Sequence, residues 1–251
     1  MKIKDKNYIG LLKFGKKEHM EALYNEGLLY MNTFDYFINL EDNGDGRADR
    51  YEATVEYFAG NGLDDITITL GSGDDQITLS RENGTLSVAM ITDTPEYSHL
   101  YSMTAIDTEW ALKNDLLLDE RNFADGKDYV VIIHDFNKFV ERLTNKLNEN
   151  KWNSKLSFIE YIDEHNYSGQ MGCFRKFDKF SYQNEWRCAV LQNGIKEPIT
   201  ITLGSLADIA FTPRNKREFY EMNAKIGNIA ISNKNAIVLS EQEVILWQIY
   251  I

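Results

Sequence analysis

The chain is poor in the residues that punctuate or staple a fold, with three prolines and two cysteines in 251 residues. Two thiols as far apart as Cys173 and Cys188 cannot form a disulfide framework or a zinc ribbon, and they read as semi-buried core cysteines kept reduced in the cytosol. No Gly/Ser-rich or low-complexity stretch marks an interdomain linker, and no internal repeat is visible. No run approaches the roughly 18 apolar residues needed to cross a bilayer, and the N-terminus has no apolar stretch of signal-peptide length. A cytoplasmic protein without membrane contact is expected.

Positive charge is also scarce. With 27 basic against 39 acidic residues the net charge is −12, so the long-range field opposes phosphate backbones and anionic lipid. A local basic stretch such as Arg214-Asn215-Lys216-Arg217 could still act against that field at short range. No Gly-rich phosphate loop of the Walker or Rossmann type is present, which sets aside kinases, ATPases and ordinary dehydrogenases.

What is abundant is apolar and aromatic volume: 43% hydrophobic residues, with 13 Phe, 14 Tyr and 4 Trp. That is enough for a sizeable core and argues for one folded domain over residues 1–251. Hydrophobic periodicity places strands at 8–14, 28–31, 51–58, 100–106, 129–133, 185–191, 199–203 and 236–239. It places helices at 17–26, stopped by Gly27, at about 33–40, at 135–151 and at 214–226. Short β-rich pieces at 66–70, 76–79 and 85–91, separated by turn residues, predict a hairpin-rich insertion at about 60–92. Strands and helices mix without a βαβ rhythm, so the fold class is α+β, with mostly antiparallel sheets and flanking helices.

The least ordinary segment is Tyr182-Gln183-Asn184-Glu185-Trp186-Arg187-Cys188-Ala189-Val190. Strict alternation would put Gln183, Glu185 and Arg187 on one strand face and Trp186, Cys188 and Val190 on the other. Either Glu185 makes an ordinary ion pair with Arg187 or another cation at a strand edge, or Gln183 and Glu185 together face a cleft.

On these residues the chain resembles the ADP-ribosyltransferase fold. Gln183-Asn184-Glu185 is similar to its [Gln/Glu]-x-Glu motif, and Tyr101-Ser102-Met103-Thr104 is similar to its aromatic-then-Ser-x-Thr strand. The opening Leu11-Leu12-Lys13-Phe14 and the turn Gly27-Leu28-Leu29-Tyr30 resemble DarT-like members and related uncharacterised bacterial and phage domains. The resemblance implies an NAD-dependent mono-ADP-ribosyltransferase of toxin or phage-defence type, with NAD as substrate and a protein or nucleic-acid acceptor. It implies Glu185 as catalytic carboxylate and Gln183 as the group orienting the acceptor. Ser102 and Thr104 would support the site, and Lys13 would contact NAD where the family has Arg or His. Tyr30 or Tyr101 could stack on nicotinamide, although core or rim packing is the commoner role for any one tyrosine. The chemistry needs an anion beside a developing positive ribose, and one carboxylate suffices.

The alternative is a non-catalytic binding or scaffold module. The loop at 41–52 places oxygen side chains at positions 1, 3, 5, 9 and 12 with Gly at 6, close to a calcium loop. Glu at position 1, Ala at position 8 and the lack of a second loop favour a solvated acidic turn instead. The four histidines show no metal spacing, so no metal site is expected.

Overall fold

The computed structural model describes residues 8–38, 51, 54–59, 68–70, 77–79, 88–91, 96–107, 120–123 and 126–221. The acidic loop at 41–52, apart from Tyr51, and the strand expected at 236–239 lie outside them. The fold is α+β with mostly antiparallel pairing. The chain divides into two compact units: residues 1–29, 103–151 and 200–251 form the first, and residues 30–102 and 152–199 the second.

In the first unit, β1 (Tyr8–Gly15) lies between β7 (His99–Asp107) and β8 (Tyr129–Ile133), and β15 (Ala210–Asn215) adds beyond β8, all antiparallel. Leu11, Val131 and Ile133 on one face are as deeply buried as Leu12, Val130 and Ile132 on the other. A strand covered on both sides must be apolar throughout, which is why residues 130–133 show no alternation. Leu12, Ile106, Phe123, Val130, Ile132 and Phe219 form one core cluster of this unit.

Helix α1 (Lys17–Glu26) buries Met20 and Leu23 and packs against β1, β8 and β15. It ends at Gly27, whose φ of 63° is left-handed and whose N–H reaches the carbonyls of Ala22 and Leu23. A Cβ there would lie 2.3 Å from the Gly204 carbonyl oxygen, because residues 203–206 strap across this helix end through Leu203 N–H to Gly27 O and Leu206 N–H to Tyr24 O. Helix α3 (Phe136–Glu149) is capped by Asp135, which accepts from Lys138 N–H at 2.9 Å, and buries Phe139, Leu143 and Leu147 at four-residue spacing.

The helix expected over 214–226 begins later. Residues 210–215 are strand β15, and helical residues run 216–221. Pro213 lies within β15, where the β15–β8 register shifts between Phe211 and Arg214, so its missing N–H costs no ladder bond.

The second unit holds β13 (Glu185–Leu191), which pairs with β9 (Asn153–Phe158) and with β7, while β2 (Leu28–Thr33) pairs with β7 at Asn32↔Leu100 and Thr33↔His99. A short α2 (Phe34–Ile38) follows β2, with the Thr33 hydroxyl accepting from Tyr36 N–H. Beside these, β3 (Thr54–Phe58) pairs with β6 (Val88–Ile91) and β11 (Ser168–Gln170), and β10 (Glu160–Ile162) pairs in parallel with β12 (Arg175–Phe177). Within the hairpin-rich stretch, β4 (Ile68–Leu70) and β5 (Ile77–Leu79) pair antiparallel. A core of Tyr57, Ala59, Ile162, Met171 and Phe177 is knitted by edge-to-face rings, Tyr51–Phe177 at 4.9 Å and Tyr57–Phe177 at 4.8 Å. Each such pair contributes about 0.5–1.5 kcal/mol beyond its buried area.

Candidate functional site

The segment 178–183 coils as a 3₁₀ turn, and Asn184 then takes a left-handed conformation, φ 39°, before the chain extends into β13. Asn tolerates this better than most residues because its short polar side chain bonds locally. Gln183 is therefore not on the strand, and the expected shared face of Gln183, Glu185 and Arg187 is corrected. Nor is β13 an edge: it is paired on both sides, and every residue from Glu185 to Val190 is buried.

A carboxylate entering such a strand requires compensation, because desolvating an unpaired charge is costly. Glu185 receives it from two cations. Arg187 Nε donates to Oε1 at 2.6 Å, with Nη2 at a longer 3.4 Å from Oε2. Lys176 Nζ lies 3.0 Å from Oε2, and the side chains of Lys176, Glu185 and Arg187 are 5%, 8% and 2% exposed. The Ser102 hydroxyl donates to the same carboxylate. The Glu185 backbone N–H donates to Tyr161 Oη at 2.9 Å.

Lys176 does the work the strand alternation was expected to do. Its Nζ also donates to Gln183 Oε1 at 2.9 Å, so Gln183 and Glu185 are joined through one ammonium group. It sits 5.3 Å from the Phe180 ring centroid, a cation held against an aromatic face. Arg187 is anchored at its other end by Nη1 donating to the Cys173 carbonyl at 2.6 Å.

Burial alone would push the Glu185 carboxyl up. The Arg187 and Lys176 charges, with the Arg187 and Ser102 hydrogen bonds, overcome it and hold the group well below the usual carboxylate range. Burial and the same carboxylate push the Tyr161 phenol up. Glu185 thus stays ionised at physiological pH. A group so acidic is a poor proton acceptor near neutrality, and its chemical capacity is electrostatic.

The other residues singled out from sequence fall as follows. Ser102, on β7, joins Glu185 and Gln183 in the second unit. Tyr30 is in the same unit and 56% exposed, whereas Tyr101 is 4% exposed and belongs to the core. Burial pushes the Tyr101 phenol up, as it pushes the Cys188 thiol up to about 12. Lys13, half-buried opposite Val131, and Thr104, buried opposite Leu12, belong to the first unit.

Sequence reasoning missed Lys176, Tyr161 and the Cys173 carbonyl. Lys176 stands in Arg175-Lys176-Phe177, where Arg175 is paired with Glu160 at the surface and nothing local separates a buried lysine from a solvated one. Among the described residues, no group of three His, Cys, Asp or Glu side chains could hold a metal ion, and no helix is long and apolar enough to cross a membrane. Comparison with protein-family models, with curated proteins and with solved structures finds no match.

Proposed function

We propose that the chain is an NAD-dependent mono-ADP-ribosyltransferase-like protein of toxin or phage-defence type, acting in the cytoplasm on a protein or nucleic-acid acceptor. The observation that carries this reading is the Ser102 hydroxyl donating to the Glu185 carboxylate, with Gln183 tied to that carboxylate through Lys176. In the resemblance drawn from sequence, the serine strand supports the glutamate. The Ser102 contact supports that expectation, and the assignment otherwise rests on analogy.

In the proposed reaction the bond between nicotinamide nitrogen and ribose carbon breaks, and nicotinamide leaves with the bonding pair. Positive charge develops on the ribose, and the fixed Glu185 carboxylate stabilises it without reorganising. The acceptor nucleophile bonds to the same ribose carbon and releases its proton to water. Gln183 holds the acceptor, and Tyr30 offers an exposed ring for stacking.

The test is nicotinamide release from NAD, measured with protein, RNA and DNA acceptors. Wild type is expected to turn over, and Glu185→Gln to lose roughly 10²–10³-fold, as when one electrostatic stabiliser is removed. Gln183→Ala is expected to spare nicotinamide release and lower transfer. Circular dichroism confirms that the compared variants are folded. An inactive wild type with all three acceptor classes would sink the proposal.

A second reading is favoured by a specific observation. Both Glu185 oxygens are engaged by buried cations, so Lys176, Glu185 and Arg187 together carry a net positive charge. In a non-catalytic binding or scaffold module the three form an internal strut, and Glu185→Gln lowers stability while NAD is left untouched by wild type and variant alike.

A further inference from the structure

Two buried donors in the first unit have no acceptor. Asn122, in the 3₁₀ turn Glu120–Phe123, is 9% exposed, and its Nδ2 has no hydrogen-bond partner. Arg214, on β15, has its Nε buried with no partner. A buried donor without a partner is costly, more so when it is charged, so each of these groups calls for an explanation.

The register puts them over one face. Phe14 on β1 and Arg214 on β15 both oppose Val130 on β8, and residues directly opposite in an antiparallel ladder project to the same side of the sheet. Val130 belongs to the core cluster that includes Phe123, and the Phe14 and Phe123 rings meet edge-on at 4.7 Å. The turn bearing Asn122 therefore lies over the face toward which the Arg214 row points. Lys216, two residues beyond Arg214, brings its Nζ to 5.7 Å from the same Phe123 ring.

We propose that Asn122 and Arg214, with Lys216 beside them, form a binding site for a phosphate group. An amide N–H and a guanidinium N–H both only donate, so the missing ligand must present several acceptor oxygens. A phosphate does this, and it also satisfies the charge on Arg214. The net charge of −12 opposes such an anion at long range, so its capture depends on these short-range donors. All three residues belong to the first unit, and the site goes beyond the reading of Glu185 and does not rest on it.

The experiment is thermal unfolding of the full chain in phosphate-free buffer, titrated with inorganic phosphate and with sulfate-free chloride at matched ionic strength. A ligand bound only by the native state must raise its stability, so wild type is expected to gain several degrees in Tm with phosphate over chloride. Asn122→Leu and Arg214→Met are expected to lose that gain. Without phosphate they should melt no lower than wild type, because each removes an unsatisfied donor. Arg214→Lys keeps the charge and loses the Nε donor, and is expected to retain only part of the gain. Parallel arms with a nucleoside monophosphate and a short single-stranded oligonucleotide separate the sources of the phosphate. A steep loss with salt for the oligonucleotide alone assigns the site to a nucleic-acid backbone. Equal gains for inorganic phosphate and the monophosphate assign it to small phosphates. No phosphate-specific gain in wild type, or a gain undiminished in both variants, overturns the proposal.

Discussion

At Glu185 the balance between desolvation and pairing decides both chemistry and stability. The carboxyl is held below its ordinary range in the folded chain and returns to about 4.3 when unfolded. A depressed folded pKa means that the unfolded state binds the proton first. The stability it contributes is complete above that unfolded value and is lost as pH falls toward the folded one. Urea unfolding measured from pH 7 to pH 3 should therefore show wild type losing stability below about pH 4.3, with a shallower loss in Glu185→Gln. At pH 7 the same variant removes the negative charge held between Lys176 and Arg187, and is expected to be destabilised by about 3–5 kcal/mol. A variant with wild-type stability and an unchanged pH slope would show that the ion network contributes nothing. The importance of Glu185 was legible in sequence, because a carboxylate amid Trp186, Cys188 and Val190 is out of place. Its second partner was not, because Lys176 is nine residues away on β12 and only the folded chain brings it near.

Among the elements, α1 followed from its sequence, since Met20 and Leu23 mark the buried side and Gly27 marks the stop. Gly27 is required twice over. Its left-handed φ costs a residue with a Cβ about 1–2 kcal/mol, and that Cβ would also strike the Gly204 carbonyl at 2.3 Å. Gly27→Ala should thus lower the urea midpoint, and Gly27→Asn should fail to restore it. Asn relieves the backbone strain but keeps the clash, and full recovery by Asn would show that the strap at 203–206 gives way freely. The strands β9 to β12 escaped notice for an opposite reason. Asn153–Phe158 and the three-residue strands that follow carry too few apolar residues to show a period, and they are strands because neighbours pair with them. The 3₁₀ turn that takes Gln183 off β13 was hidden likewise, since nothing in Tyr182-Gln183-Asn184 forbids an extended chain.

For the whole molecule, each compact unit is assembled from segments far apart in the chain. The first unit needs β15, which pairs along β8, together with the fully buried Leu206 and Ile209. A chain ending at residue 199 loses all of these. Its β8 amides should lose the hydrogen-exchange protection seen in the full chain, and this unit should no longer unfold cooperatively. Retained protection at 130–133 in the shortened chain would contradict this dependence.

What the sequence determined by itself was local. The α+β class, the helices with a clean apolar stripe, the apolar strand at 129–133 and the oddity of Glu185 all follow from side-chain period and solvation, which act between neighbours along the chain. Tertiary structure decided the rest. It made β13 an interior strand, joined Gln183 to Glu185 through Lys176, and left Asn122 and Arg214 as buried donors without an acceptor. Each of these depends on which distant segment covers a polar group, and the cost of desolvation is set only when that cover is in place.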